Sequence, residues 1–200
     1  MNNNGISVVM ALVDFLPVVM FFISAVLLQR DLYDVLSKGR FALLSAGAIM
    51  VLIGGIYKAT WKLLYALGIC DFVTLNNSLF PLQAPGFLLV FLSLIGSKWR
   101  LSGIFAAVPV YASNLIFIIV QTVSLAGTQA ILAIKSLKMK KKAGAVLFLI
   151  SFVSMLAMGY LGAKFDDSSK MNWLAQCVNI ISQGSFLIGV IIIHNQLKEM

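Results

Sequence analysis

"LSGIFAAVPVYASNLIFIIVQTVSLAGTQAILAIKS", residues Leu101 to Ser136, runs for thirty-six residues with a single charge, Lys135. As one helix it would extend about 54 Å, against a bilayer hydrocarbon core of about 30 Å. Either it folds back as two short spans, or it is one long helix with an end outside the membrane. Pro109, Asn114, Gln121 and Gly127 are the candidate break points, and none sits in a clear loop. The choice decides whether six or seven helices cross the membrane.

The composition sets the class. The chain is 60% hydrophobic and 11% charged, with a mean hydropathy of +0.98. Ordinary globular domains run roughly 45–50% apolar and about 25% charged. The expected fold is therefore all-α: a polytopic transmembrane helical bundle forming a single integral membrane domain over residues 1–200. A membrane barrel is disfavoured because the apolar runs lack period-two alternation, and the bilayer requires each span to satisfy its own backbone. The formal net charge of +8 does not indicate nucleic acid, because the fifteen Lys and Arg sit almost entirely in short gaps between apolar runs. The first residues, "MNNNGISVVM", carry no basic n-region, so the first span is read as uncleaved.

Outward from the central segment the spans are clearer. The first covers Ile6 to Gln29 and is closed by the polar loop Arg30 to Arg40. The second begins at Phe41 and meets Tyr57, Lys58, Trp61, Lys62 and Tyr65 at helical spacing, residues that favour the headgroup layer. From there it would run to a turn at Gly68. The stretch "CDFVTLNNSLFPLQAPGF", Cys70 to Phe87, then descends from a projecting hairpin, and a third span covers Leu82 to Gly96. The alternative ends the second helix at Lys58, makes Ala59 to Phe80 a span and leaves Asp71 at mid-membrane, where a charge costs about 2.5–3.5 kcal/mol on insertion scales. Beyond the lysine cluster "KSLKMKKK", two spans cover Ala143 to Ala163 and Asn172 to Ile193.

Charge bias separates six spans from seven. With the central segment folded back and the N-terminus outside, Arg30, Lys38, Arg40, Lys98, Arg100, Lys135, Lys138, Lys140, Lys141, Lys142 and Lys198 are cytoplasmic, eleven in all, against four outside. The best six-span arrangement gives eight against seven. The positive-inside rule favours seven spans in a cell membrane, N-terminus outside and C-terminus cytoplasmic, with short fourth and fifth spans. No internal repeat is visible in the sequence.

Asn172, Gln176, Asn179 and Gln183 are spaced four, three and four, which puts four carboxamides on one face of the last helix. They either hydrogen-bond to neighbouring helices or wall a cavity for a neutral or zwitterionic ligand, since carboxamides both donate and accept. Asn114 and Gln121, seven apart, could supply the opposite wall. Asp14 lies one turn before Pro17, and is either a carboxylate inside the span, able to bind a cation or a proton, or a headgroup-level residue. Seven spans put Asp14 and Asp71 on the same side, where they could share a vestibule.

Other chemistry is thin. His194 is the only histidine and stands at the cytoplasmic end of the last span, so no metal site or cofactor resting on paired histidines is expected. Two cysteines, Cys70 and Cys177, make no disulfide framework. The last span has no lysine, which excludes a retinal-type Schiff base, and no nucleophile, phosphate-loop or zinc-hydrolase motif is present. The lysine cluster reads as a stop-transfer anchor at an anionic leaflet. The expected partners are membrane lipids, a small polar solute, and a membrane-protein partner or second copy. The preferred function is a small permease or channel, ahead of a ligand sensor or assembly subunit, with an intramembrane enzyme last.

Overall fold

The computed structural model describes residues 6–95, 114–163 and 169–199. Among them there are helices and turns and no strand. Helices α1 (Val8–Val13) and α2 (Phe15–Leu32) make one rod interrupted at Asp14. The interruption falls where Pro17, lacking an amide hydrogen, leaves the carbonyl of Val13 without its helical partner. Ser7 caps the start, its hydroxyl accepting from the Met10 amide at 3.2 Å.

Helix α3 (Lys38–Ala66) continues unbroken past Lys58, as the hairpin reading expects. It stops because Gly68 turns left-handed (φ +71°), which lets the Ile69 and Gly68 amides donate back to the carbonyls of Leu64 and Tyr65 at 3.1 and 3.0 Å. A short α4 (Val73–Asn77) leads into α5 (Leu79–Leu94). The third helix thus begins before Leu82: Pro81 falls in its first turn, where no amide partner is needed, and Pro85 is carried inside it.

Helix α6 (Asn114–Lys138) corrects the expectation of a short fifth span, for its 25 residues run without a break. Of the candidate break points, Gln121 and Gly127 lie inside it, Asn114 opens it, and Pro109 falls outside the described residues. Gly127 is the seat of the Phe91 ring, which occupies the position a Cβ would take. Ahead of α7 (Lys142–Ala163), Lys140 adopts a positive φ of 58° and the Lys141 amide returns to the Ser136 carbonyl at 3.0 Å, closing α6. The last helix, α8 (Ser169–Lys198), extends several residues beyond both ends of the expected span.

The long helices form a closed ring in the order α2, α3, α5, α6, α7, α8 and back to α2. Specific contacts fix their directions. Antiparallel α2 and α3 meet at Asp14 with Lys62 and at Leu32 with Leu44. Antiparallel α3 and α5 cross where a Cβ on Gly47 would stand 2.5 Å from the Gly86 carbonyl oxygen, so the backbones nearly touch. Helices α5 and α6 are parallel, as Gln83 with Gln121 and Phe91 with Gly127 show. Antiparallel packing resumes from α6 to α7 (Gln129 with Ser151) and from α7 to α8 (Phe148 with Phe186). Ring closure of α8 on α2 is parallel again, through Met20 with Gly184 and Asp31 with His194.

Two consequences follow from these directions. The first three long helices and the last three repeat one pattern, and the halves join at two parallel seams, α5 with α6 and α8 with α2. Secondly, α5 stops at one end of the ring and α6 starts at the other. The first end, here the basic end, carries Arg30, Lys38, Arg40, Lys135, Lys138, Lys140, Lys141, Lys142 and Lys198. The opposite end, with Asp14, carries Lys58, Lys62 and Lys170. Lys98, Arg100 and Lys164 lie outside the described residues.

Five helical segments are long and apolar enough to cross a membrane: Val8–Leu32, Lys38–Ala66, Val73–Leu94, Leu115–Lys138 and Lys170–Lys198. Lys142–Met158 is a shorter apolar helix. Their outward faces expose large apolar side chains such as Val19, Phe22, Ile119, Leu149 and Ile188. Such continuous apolar cover suits acyl chains rather than water.

Candidate functional site

The centre of the ring encloses a cavity of about 30 Å³ to which all six long helices contribute, through Phe21, Ala48, Phe87, Leu125, Met155 and Phe186 among others. That is room for one or two waters. Its polar lining is Thr128 and Gln129 on α6, Ser151 on α7 and Gln183 on α8. No charged side chain lines it.

Two of these polar positions, Gln129 and Ser151, belong to one hydrogen-bonded chain that continues to Ser182. The Gln129 amide nitrogen donates to the Ser151 hydroxyl at 3.1 Å, and the Ser151 and Ser182 hydroxyls lie 3.5 Å apart. Ser182 in turn donates to the Ser151 carbonyl at 3.0 Å. With the Ser182 proton committed there, the Ser151 proton points to Ser182, and the Ser151 oxygen is left to accept from Gln129. The amide orientation of Gln129 is thereby fixed, nitrogen toward α7 and oxygen free. Gln129 Oε1 and Thr128 Oγ1 are both buried and without a hydrogen-bond partner among the described residues.

The carboxamide face of α8 turns inward, as a helix in apolar surroundings requires. Asn172 and Gln176 are buried, Asn179 is half-buried, and Gln183 reaches the central cavity. Gln176 Nε2 has no partner among the described residues. On the other wall Gln121 is engaged with Gln83 at 3.5 Å, and the side chain of Asn114 falls outside the described residues. The α6 contribution to the cavity therefore comes from Thr128 and Gln129, about two turns beyond Gln121. Sequence reading missed them, although a Thr-Gln pair inside an apolar run is the kind of signal that marks an inward face.

Asp14 is buried and paired with Lys62 at 2.5 Å. Around it the last turns of α3 gather the polar residues of the 70–87 stretch: Lys58 bonds the Asn76 side chain, and Trp61 Nε1 donates to Asp71 at 2.9 Å. Lys58 also stands over the Trp61 ring, 4.9 Å from its centroid. Asp14 and Asp71 thus share one end of the bundle, each held by a different residue of α3. The same stretch contains Gln83, which faces α6 across a seam. Part of the stretch is the exit from the bundle and part is interior.

The basic end has its own buried pair. His194 Nδ1 lies 2.6 Å from Asp31 Oδ1, with both side chains under 10% exposed. The second oxygen, Asp31 Oδ2, has no partner. Arg40 donates from Nε to the Ser93 carbonyl at 2.8 Å, tying the start of α3 to the end of α5. Cys70 and Cys177 are free thiols.

No protein-family model matches the chain, and neither a curated protein nor a solved structure matches it.

Proposed function

We propose that the chain is a multi-pass cell-membrane protein that crosses seven times and acts as a small permease or channel for a small neutral or zwitterionic solute. The observation that carries the reading is the axial cavity: every long helix contributes to its wall, and among the described residues that wall holds hydroxyls and carboxamides but no charge. Such a lining orients a polar solute without trapping it. The count of seven is supported by the parallel packing of α5 and α6, because the chain must return from the basic end to the Asp14 end between them. Nine of the described Lys and Arg at one end against three at the other support a cytoplasmic C-terminus and an outside N-terminus. Lipid is the partner that fits the apolar outer faces.

The test is flux into proteoliposomes across a broad panel of small solutes, compared with protein-free vesicles. Uptake above that background supports transport. A second reading, a non-transporting sensor or an assembly subunit for a partner helix or a second copy, is favoured by the size of the cavity, which at about 30 Å³ holds only one or two waters as it stands. Silence across the panel, with a membrane protein co-purifying in fixed ratio, would decide for it.

A further inference from the structure

We propose that Thr128 and Gln129 form the selecting site of the protein, taking a small uncharged hydrogen-bond donor and refusing ions; this rests on the permease reading above. Three observations converge on the pair. Both side chains are buried, 3% and 4% exposed, and both line the axial cavity. Each presents an oxygen with no hydrogen-bond partner among the described residues, Thr128 Oγ1 and Gln129 Oε1. The relay through Ser151 and Ser182 engages the Gln129 nitrogen and leaves its oxygen as the uncommitted polar atom of a cavity-lining side chain.

An acceptor fixed in this way calls for a donor on the ligand. A threonine hydroxyl beside it can accept a second hydrogen bond or return one, so a solute with an N–H or O–H group and a neighbouring acceptor is matched at both atoms. Around these two oxygens the wall is Phe, Leu, Ala, Val and Met, with Gln183 the other carboxamide. An ion entering would lose its hydration with no counter-charge to replace it, and a zwitterion would meet the same barrier twice. A water, a primary amide or a small polyol would not. Ser151 and Ser182 are positioning residues, acting through the orientation of Gln129. The site narrows the solute class from neutral or zwitterionic to neutral donors.

The experiment uses the purified full-length protein in proteoliposomes. Stopped-flow light scattering would follow water, urea, acetamide and glycerol, with rubidium and glycine as isotope-traced charged and zwitterionic controls. Wild type is expected to pass at least one neutral donor above protein-free vesicles while rubidium and glycine stay at background. Gln129→Leu, which keeps the volume and removes both polar atoms, is expected to lower that flux at least tenfold. Thr128→Val should lower it several-fold, and Thr128→Ser, which keeps the hydroxyl, should lower it less than Thr128→Val does. Size-exclusion profiles and melting temperatures establish that each variant is folded. Neutral flux in Gln129→Leu within twofold of wild type overturns the site and leaves the permease reading standing, and rubidium or glycine flux in wild type overturns the selectivity. If no solute passes the wild type, the permease reading falls and the site falls with it.

Discussion

Breaking the Asp31–His194 pair should unfold the basic end of the bundle more than its two hydrogen-bonding atoms suggest. The pair spans the parallel seam between α2 and α8, 163 residues apart in sequence, and both side chains are almost wholly buried. Removing one partner of a buried ion pair typically costs about 3–5 kcal/mol, because the other charge is left without compensation. The two halves of the pair should not be equivalent. In His194→Ala, Asp31 keeps the nearby Lys135 of α6 as a neighbouring positive charge, which places the loss near the bottom of that range, about 3 kcal/mol. In Asp31→Leu, the loss is chiefly one buried hydrogen bond to the imidazole, about 1–3 kcal/mol.

The double variant Asp31→Leu/His194→Leu separates a charge effect from a packing effect. Replacing a buried ion pair with apolar side chains of similar volume is often neutral or stabilising by about 1–4 kcal/mol, so the double variant should recover most of what either single loses. At roughly 2–4 °C per kcal/mol for a chain of this length, His194→Ala should melt about 6–12 °C below wild type and the double variant within a few degrees of it. The assay is thermal or SDS-induced unfolding of purified protein in mild detergent, read by circular dichroism. The reasoning is refuted if His194→Ala melts within a degree or two of wild type, or if the double variant loses the sum of the singles.

Three further outcomes can be checked. Gly47→Ala and Gly86→Ala should each cost about 1–3 kcal/mol, since the added Cβ meets backbone or a packed side chain within 3 Å, whereas Gly39→Ala, with nothing within 4 Å, should be neutral or stabilising by up to about 1 kcal/mol. Lys62→Met should destabilise by about 3 kcal/mol, the low end for a broken buried pair because Lys58 stays near Asp14, and Asp14→Asn added to it should restore most of the loss in the same melts. In intact cells a membrane-impermeant maleimide should label Cys70, which follows the Gly68 turn, and a cysteine placed at Ser37 only after permeabilisation. Labelling of both from the same side would refute the orientation.

Where a helix is framed by its own residues, the sequence was a good guide. The α7 span was expected at Ala143 to Ala163 and is found one residue longer, because an apolar run between a lysine cluster and a polar loop leaves little choice. Helix α3 ends at the expected turn because Gly68 can adopt a positive φ at no steric cost. The inward turn of the α8 carboxamides also follows from the sequence, since a row of amides facing lipid would be unsatisfied. Pairing across helices is another matter. Asp31 was assigned to a polar loop, but α2 continues to Leu32 and carries it inside, where its partner comes from the far end of the chain. Helical periodicity says which residues share a face; it does not say which helix that face will meet.

The same limit explains how a repeat could escape the sequence. The two halves of the ring share directions and neighbours, yet they are cemented by different chemistry: glycine-to-backbone approach between α3 and α5, and aromatic packing of Phe148 on Gly189 and Phe186 between α7 and α8. Their seams differ as well. One is bridged by Gln83 and Gln121, and the other by Asp31 and His194. No residue of the Gly47–Gly86 crossing takes part in either bridge, but both seams are packed as well as bridged: Phe91 sits on Gly127 across one, and Leu28 of α2 joins the Phe148 cluster across the other. Interface energies of this kind are modest in membranes, about 0.6–2 kcal/mol per polar contact, against the larger cost of separating interlocked backbones. If the cavity opens along the α5–α6 seam, Gln83→Leu should raise neutral-solute flux in proteoliposomes whereas Gly86→Val should only unfold the protein. Unchanged flux in a folded Gln83→Leu protein would mean that the halves do not part there.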